Sequence, residues 1–162
     1  MGLWQLAGRV GQRRHEFAEA TDAACADPER CPDVEAVTGE KIVQVGMDGA
    51  MIMMRAGEGG TPRNEGEDPL EEEGARCSGR EVKTAVIYRP EDRFCKNRRR
   101  GLSQRRIVSV LGTADQLIAR VWSTLVLGGL MGAQTTVAVI GDGAEWIWER
   151  AKMFVRRIEI MD

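Results

Sequence analysis

Two aspartates have the setting that chemistry needs: Asp48 and Asp142. Each closes an apolar run and is followed at once by glycine. The first run is Ile42-Val43-Gln44-Val45-Gly46-Met47, and the second is Thr136-Val137-Ala138-Val139-Ile140-Gly141. Short apolar runs rich in β-branched residues have the pattern of buried strands. Open α/β sheets place their chemistry at the carboxyl ends of such strands. An acid inside an apolar run costs several kcal/mol if it is buried without a partner, so Asp48 belongs at a sheet end or against a ligand. If the two strands are neighbours, the carboxylates converge, and converging carboxylates suit Mg2+ or Mn2+. Asp142 also has a plainer reading, as a turn residue or helix cap.

The elements that must position these acids follow from periodicity. Residues 3–26 read as a helix with a thin apolar stripe (Trp4, Leu6, Val10, Phe17 and Ala18), ended by Asp27-Pro28 and Cys31-Pro32-Asp33. Residues 41–55 read as the first strand. It is almost continuously apolar, which suits a central strand covered on both faces, with its methionines filling core. Residues 57–79, centred on Glu71-Glu72-Glu73, read as a long solvated loop or disordered insertion. A second strand is expected over 81–88 and a third over 107–111. Between them lies a basic loop, 89–106, carrying Arg93, Lys96, Arg98, Arg99, Arg100, Arg105 and Arg106. It is the chain's only candidate for phosphate contacts, and equally an ordinary solvated face.

Thr113 can cap a helix whose apolar face is Leu117, Ile118, Val121, Trp122, Leu125 and Val126. Gly128-Gly129 and Gly132 end it. A right-handed crossover through this helix brings the strand before Asp142 in parallel to the sheet. A second helix is expected over 144–154 and a fifth strand over 157–162. The chain therefore divides into an N-terminal helix and linker, 1–38, and an α/β domain, 39–162, with charged insertions at 57–80 and 89–106.

Bulk properties narrow the function class. A chain of 162 residues, 43% hydrophobic and 30% charged, is globular rather than disordered. A net charge of −2 means that any nucleic-acid affinity must come from a local patch. Cys25, Cys31, Cys77 and Cys95 form no C-x-x-C pair, and His15 is the only histidine, so zinc has little support. The cysteines read as free thiols in a reducing cytoplasm, and no secretory signal is visible. Residues 121–141 carry no charge, but their glycines and hydroxyls fit a helix end and a buried strand better than a membrane span.

Three strands, helix, strand, helix, strand, with acids on strands one and four, is the layout of the ribonuclease-H-like fold. Specific strings carry the likeness further: Asp48-Gly49-Ala50-Met51, Glu81-Val82-Lys83-Thr84-Ala85-Val86-Ile87-Tyr88, Leu111-Gly112-Thr113-Ala114-Asp115 and above all Gly141-Asp142-Gly143-Ala144-Glu145-Trp146-Ile147-Trp148. From residue 41 to 162, apart from the two charged loops, the chain resembles bacterial insertion-sequence DDE transposases, of the group related to the Mutator-like and uncharacterised-transposase families. The resemblance implies that Asp48 and Asp142 are the first two catalytic, metal-binding aspartates, holding two Mg2+ (or Mn2+) ions for DNA cleavage and strand transfer. Lys96, Arg98, Arg99, Arg100, Arg105 and Arg106 of the basic loop are the candidate DNA contacts on charge alone, and the expected partner beside DNA is a second copy of the chain or an intact transposase. The resemblance also implies a domain incomplete at its C-terminal side: the family's third acid, a glutamate on a later helix, has no counterpart, so the chain alone is expected to be inactive. One alternative is a non-catalytic remnant that binds DNA or a partner, with Trp146, Trp148 and Phe154 exposed as a sticky patch. Another is a nucleotide-binding domain with phosphate at the Gly141-Asp142-Gly143 turn, although neither G-x-G-x-x-G nor G-x-x-x-x-G-K-[ST] occurs.

Overall fold

The structure is a computed structural model that describes residues 3–55 and 77–162. Of the acid-rich stretch 57–79, expected as a solvated loop, residues 57–76 lie outside the described residues, and 77–79 are not loop but the start of the second strand, which opens at Cys77 rather than 81. The elements run α1 (Leu3–Ala26), β1 (Lys41–Arg55), β2 (Cys77–Tyr88), β3 (Arg93–Lys96), β4 (Arg99–Leu102), β5 (Arg106–Val110), α2 (Ala114–Leu127), β6 (Thr135–Gly141), α3 (Glu145–Ala151) and β7 (Arg157–Met161). Strands β5-β2-β1-β6-β7 form one mixed sheet in that order, and β3 and β4 form a separate two-stranded ribbon. β2 runs antiparallel to β1 and β5, whereas β6 runs parallel to β1 and β7. The fold is α/β, built on a mixed five-stranded sheet with three helices.

Among the described residues, helices dress one face of the sheet and leave the other uncovered. Val43, Val45 and Met47 of β1, Ala85 and Ile87 of β2, and Val137 and Val139 of β6 share the dressed face. On it pack Leu117, Val121 and Leu125 of α2, with Ile147, Ala151 and Phe154 from α3 and its C-terminal flank. Each fully buried aliphatic side chain here stabilises the fold by about 1.5–3 kcal/mol. α2 starts as expected: Thr113 Oγ1 accepts from Gln116 N at 3.2 Å, and Gln116 Oε1 accepts from Thr113 N at 3.0 Å, a capping box.

Four expectations are corrected. β1 is central but not covered on both faces: Ile42, Met51 and Met53 are exposed, so only Met47 of its methionines fills core. Its last residues pair with β2 alone, since the ladder to β6 ends at Gly46–Ile140. The basic stretch 89–106 is not a loop. It holds a single helical turn, Pro90–Asp92, then the β3–β4 ribbon, then the start of β5. Finally, Phe154 is only 2% exposed and Trp146 and Trp148 are partly buried against the core, so they form no open patch.

α1 is attached through its C-terminal half. Asp22 is buried, accepts from Arg120 Nε and from the Ser123 hydroxyl, and so joins α1 to α2. Trp122 Nε1 donates to Cys25 O at 3.0 Å beside it. His15 lies on the surface, as expected, within 3.2 Å of Glu19. Among the described residues no helix is long and apolar enough to cross a membrane.

Candidate carboxylate site

The site is set by strand register. Lys41 pairs with Thr135, and the parallel ladder continues to Gly46 opposite Ile140. Carried two residues past the end of that ladder, the same register would bring Asp48 level with Asp142, which follows the last residue of β6. Neighbouring strands lie about 4.8 Å apart, and residues level in a parallel pair point to the same face. A methyl group added to Gly141 would sit 3.6 Å from Met47 O, which shows how close the two chains remain one residue earlier. Asp48 lies on the face of β1 opposite α2 and α3, and Asp142 follows the last residue of β6 at the same end of the sheet.

Both carboxylates are exposed. Asp48 lies where β1 has outrun β6, so it avoids the burial cost that an acid within an apolar strand otherwise carries. Its Oδ1 accepts from Gly49 N at 2.7 Å. Asp142 Oδ1 accepts from Ala144 N at 3.1 Å, a side-chain turn that leads into α3. The plain reading of Asp142 as a turn residue is therefore correct, and it leaves the other oxygen of the carboxylate unused. No second bond to either carboxylate is made among the described residues. Gly143 follows at φ +91°, a conformation that favours glycine and turns the chain away from the aspartate. Two carboxylates, each with an oxygen to spare and open to water, are a donor set that Mg2+ accepts together with waters or phosphate oxygens. Among the described residues, no cluster of three or more His, Cys, Asp or Glu is arranged to hold a metal ion.

Two further features lie near the site: Asp162, which the resemblance to transposases also places near the active site, and Lys83, which was not expected there. β7 continues the register on the other side of β6: Met161 pairs with Gly141, and Asp162 N donates to Gly141 O at 2.9 Å. Asp162 therefore stands one strand beyond Asp142 at the same sheet end. On the opposite face, Lys83 is buried at 5% exposure, with its ammonium 2.8 Å from Glu81 Oε2 and 5.7 Å from the Trp146 ring centre. Period-two alternation was the available signal: Glu81, Lys83, Ala85 and Ile87 share one face, and that face is core.

The basic residues are not beside the carboxylates. The ribbon grows from Tyr88, which pairs with Gln44, four residues before Asp48 on β1. That distance is about 13 Å along the strand, towards the other end of the sheet. Lys96, Arg98, Arg99, Arg100 and Arg105 are exposed. Arg106 is separate from them: it opens β5, and its guanidinium donates to Gly128 O at 3.4 Å, behind α2. A groove of about 920 Å³ opens elsewhere, between α1, α2 and the end of β5, and neither aspartate lines it. No family model, curated protein or solved structure matches the chain.

Proposed function

We propose that this chain carries the two-aspartate part of a ribonuclease-H-like site for metal-dependent cleavage and joining of DNA strands, as in a DDE transposase. The observation that supports this most is the parallel pairing of β1 with β6, whose register, carried two residues past Gly46 and Ile140, would bring Asp48 level with Asp142. The strand order β5-β2-β1-β6-β7, with three antiparallel strands followed by two parallel additions, agrees with that layout. Two divalent cations at such a site activate an attacking hydroxyl and stabilise the leaving oxygen of a phosphodiester. Asp48 and Asp142 would hold them through their unused oxygens. Gly143, at φ +91°, leaves bare backbone beside Asp142 where a phosphate could approach. Cys25, Cys31 and Cys95 are free thiols, which suits a reducing, cytoplasmic setting beside bacterial DNA.

A second reading, a non-catalytic protein that binds DNA without cutting it, is favoured by the absence of a three-ligand cluster among the described residues. The nucleotide-binding reading is weaker. α3 is only seven residues long and begins with Glu145, a poor partner for phosphate. Titration with Mn2+ followed by electron paramagnetic resonance tests the main reading. Wild type should take up the ion, and Asp48→Ala and Asp142→Ala should each lose it while keeping their circular dichroism. Equal uptake by all three proteins would refute the site. DNA binding by all three proteins with no Mn2+ uptake by any of them would select the non-catalytic reading.

A further inference from the structure

We infer that the β3–β4 ribbon is an anchor for B-form duplex DNA and works from the major groove. The inference rests on the DNA reading above for its class of partner, but not on the carboxylate site. Residues 93–102 contain five cations and no acid. Arg93 leans on Tyr88, its guanidinium 5.8 Å from the ring centre. Lys96, Arg98, Arg99 and Arg100 are exposed and make no ion pair among the described residues. The register sets Lys96 directly opposite Arg99. Like charges opposed across a ribbon destabilise it, and anions on both sides relieve that repulsion.

The shape suits a groove. Asn97 and Arg98 form the tip with φ of 51° and 61°, the left-handed pair of a two-residue hairpin turn. Alternation puts Lys96 and Arg99 on one face and Cys95 and Arg100 on the other, so cations project to both sides. Phe94 lies across Gly101, where any side chain would collide with its ring, and this contact fills the ribbon's middle. The root is fixed: Ser103 N donates to Asp92 O at 2.8 Å, and Asp92 is held by Arg89 at 3.2 Å. A stiff two-stranded ribbon with cations on both faces fits the major groove of B-DNA, about 12 Å wide, whose walls are phosphates. The major groove of A-form RNA is too deep and narrow to admit it. The root lies about 13 Å from the level of Asp48, well within one helical turn of about 34 Å. A single duplex can therefore touch both places.

The test uses the full chain and a short mixed-sequence duplex in EDTA, with binding followed by fluorescence anisotropy across a range of salt concentrations. Wild type should bind, protect guanine N7 from dimethyl sulfate, and prefer duplex DNA to duplex RNA by at least about tenfold. The combined Lys96→Ala, Arg99→Ala, Arg100→Ala variant should lose that protection. Its slope of log affinity against log salt should fall by about 3, one unit per phosphate contact removed. The three side chains are exposed, so the fold should survive. An unchanged slope, equal competition by duplex RNA, or guanines left unprotected by wild type would each overturn the inference. Loss of Mn2+ uptake as a readout would remove the carboxylate reading alone, whereas failure to bind in EDTA removes only the ribbon.

Discussion

Asp92 shows how one buried carboxyl can organise a charged segment. It sits under the ribbon, accepts from Arg89 Nε at 3.2 Å and from Arg89 Nη2 at 3.3 Å, and offers its carbonyl to Ser103. The hydrogen bond from Arg89 is the largest influence on it and holds the carboxyl below its ordinary value of 3.8, against the opposing effect of burial. A carboxyl whose folded value is depressed contributes stability above the ordinary value and loses it as pH falls through the folded one. The ribbon root should therefore stay formed at neutral pH and loosen only in acid. A 13C NMR titration should place the Asp92 midpoint below 3.8, and Arg89→Gln should return it towards that value. An unshifted midpoint in wild type would show that Arg89 does not hold the carboxyl. The sequence showed Asp48 and Asp142 because an acid that closes an apolar run violates the run's own chemistry. It did not show Asp92 or Lys83, because an acid among arginines, or a lysine in a mixed strand, looks like surface until the pairing is known.

At the scale of elements, long amphipathic and long apolar segments were legible, and short charged ones were not. α1, β1 and the capped start of α2 fall where helical spacing, apolar continuity and Thr113 put them. The ribbon was missed because its strands have four residues each and arginines occupy the places where β-branched residues usually signal a strand. Its turn, Asn97-Arg98, also lacks the glycine that marks such hairpins. The thin stripe of α1 left open how that helix is attached. The structure answers with a polar junction, in which Asp22 meets Arg120 and Ser123 at the α1–α2 contact. Asp22→Ala leaves Arg120 without its carboxylate in a partly buried position, at a cost of about 2 kcal/mol once exposure of the guanidinium is allowed for. For a chain of this length that should lower the melting temperature by about 4–8 °C, and limited proteolysis should cut α1 first. Unchanged melting and protection would mean that α1 is held by its apolar contacts instead.

At the scale of the whole molecule, the sheet's two faces differ in what they meet. The face carrying Val45, Ile87 and Val139 is sealed by α2 and α3. The other face presents Ile42, Ile107, Ile158 and Ile160, exposed by 45%, 57%, 47% and 40%. Pairing places all four on one side: Ile42 is opposite Thr136, Ile107 opposite Val86, Ile158 opposite Ala138 and Ile160 opposite Ile140. Asp48 lies on the same side. Sequence could not distinguish the faces, because β6 is apolar at every position from Val137 to Ile140 and reads alike on both sides. A contiguous apolar surface on a folded chain should recruit an environment-sensitive dye such as ANS without any unfolding. Combined Ile158→Lys and Ile160→Lys substitutions, on an edge strand where charge is well tolerated, should reduce that fluorescence severalfold. Because neither side chain belongs to the sealed core, the urea midpoint should move by no more than about 0.5 kcal/mol equivalent. Dye binding unaffected by the substitutions, or a large loss of stability, would mean that this face is covered in solution.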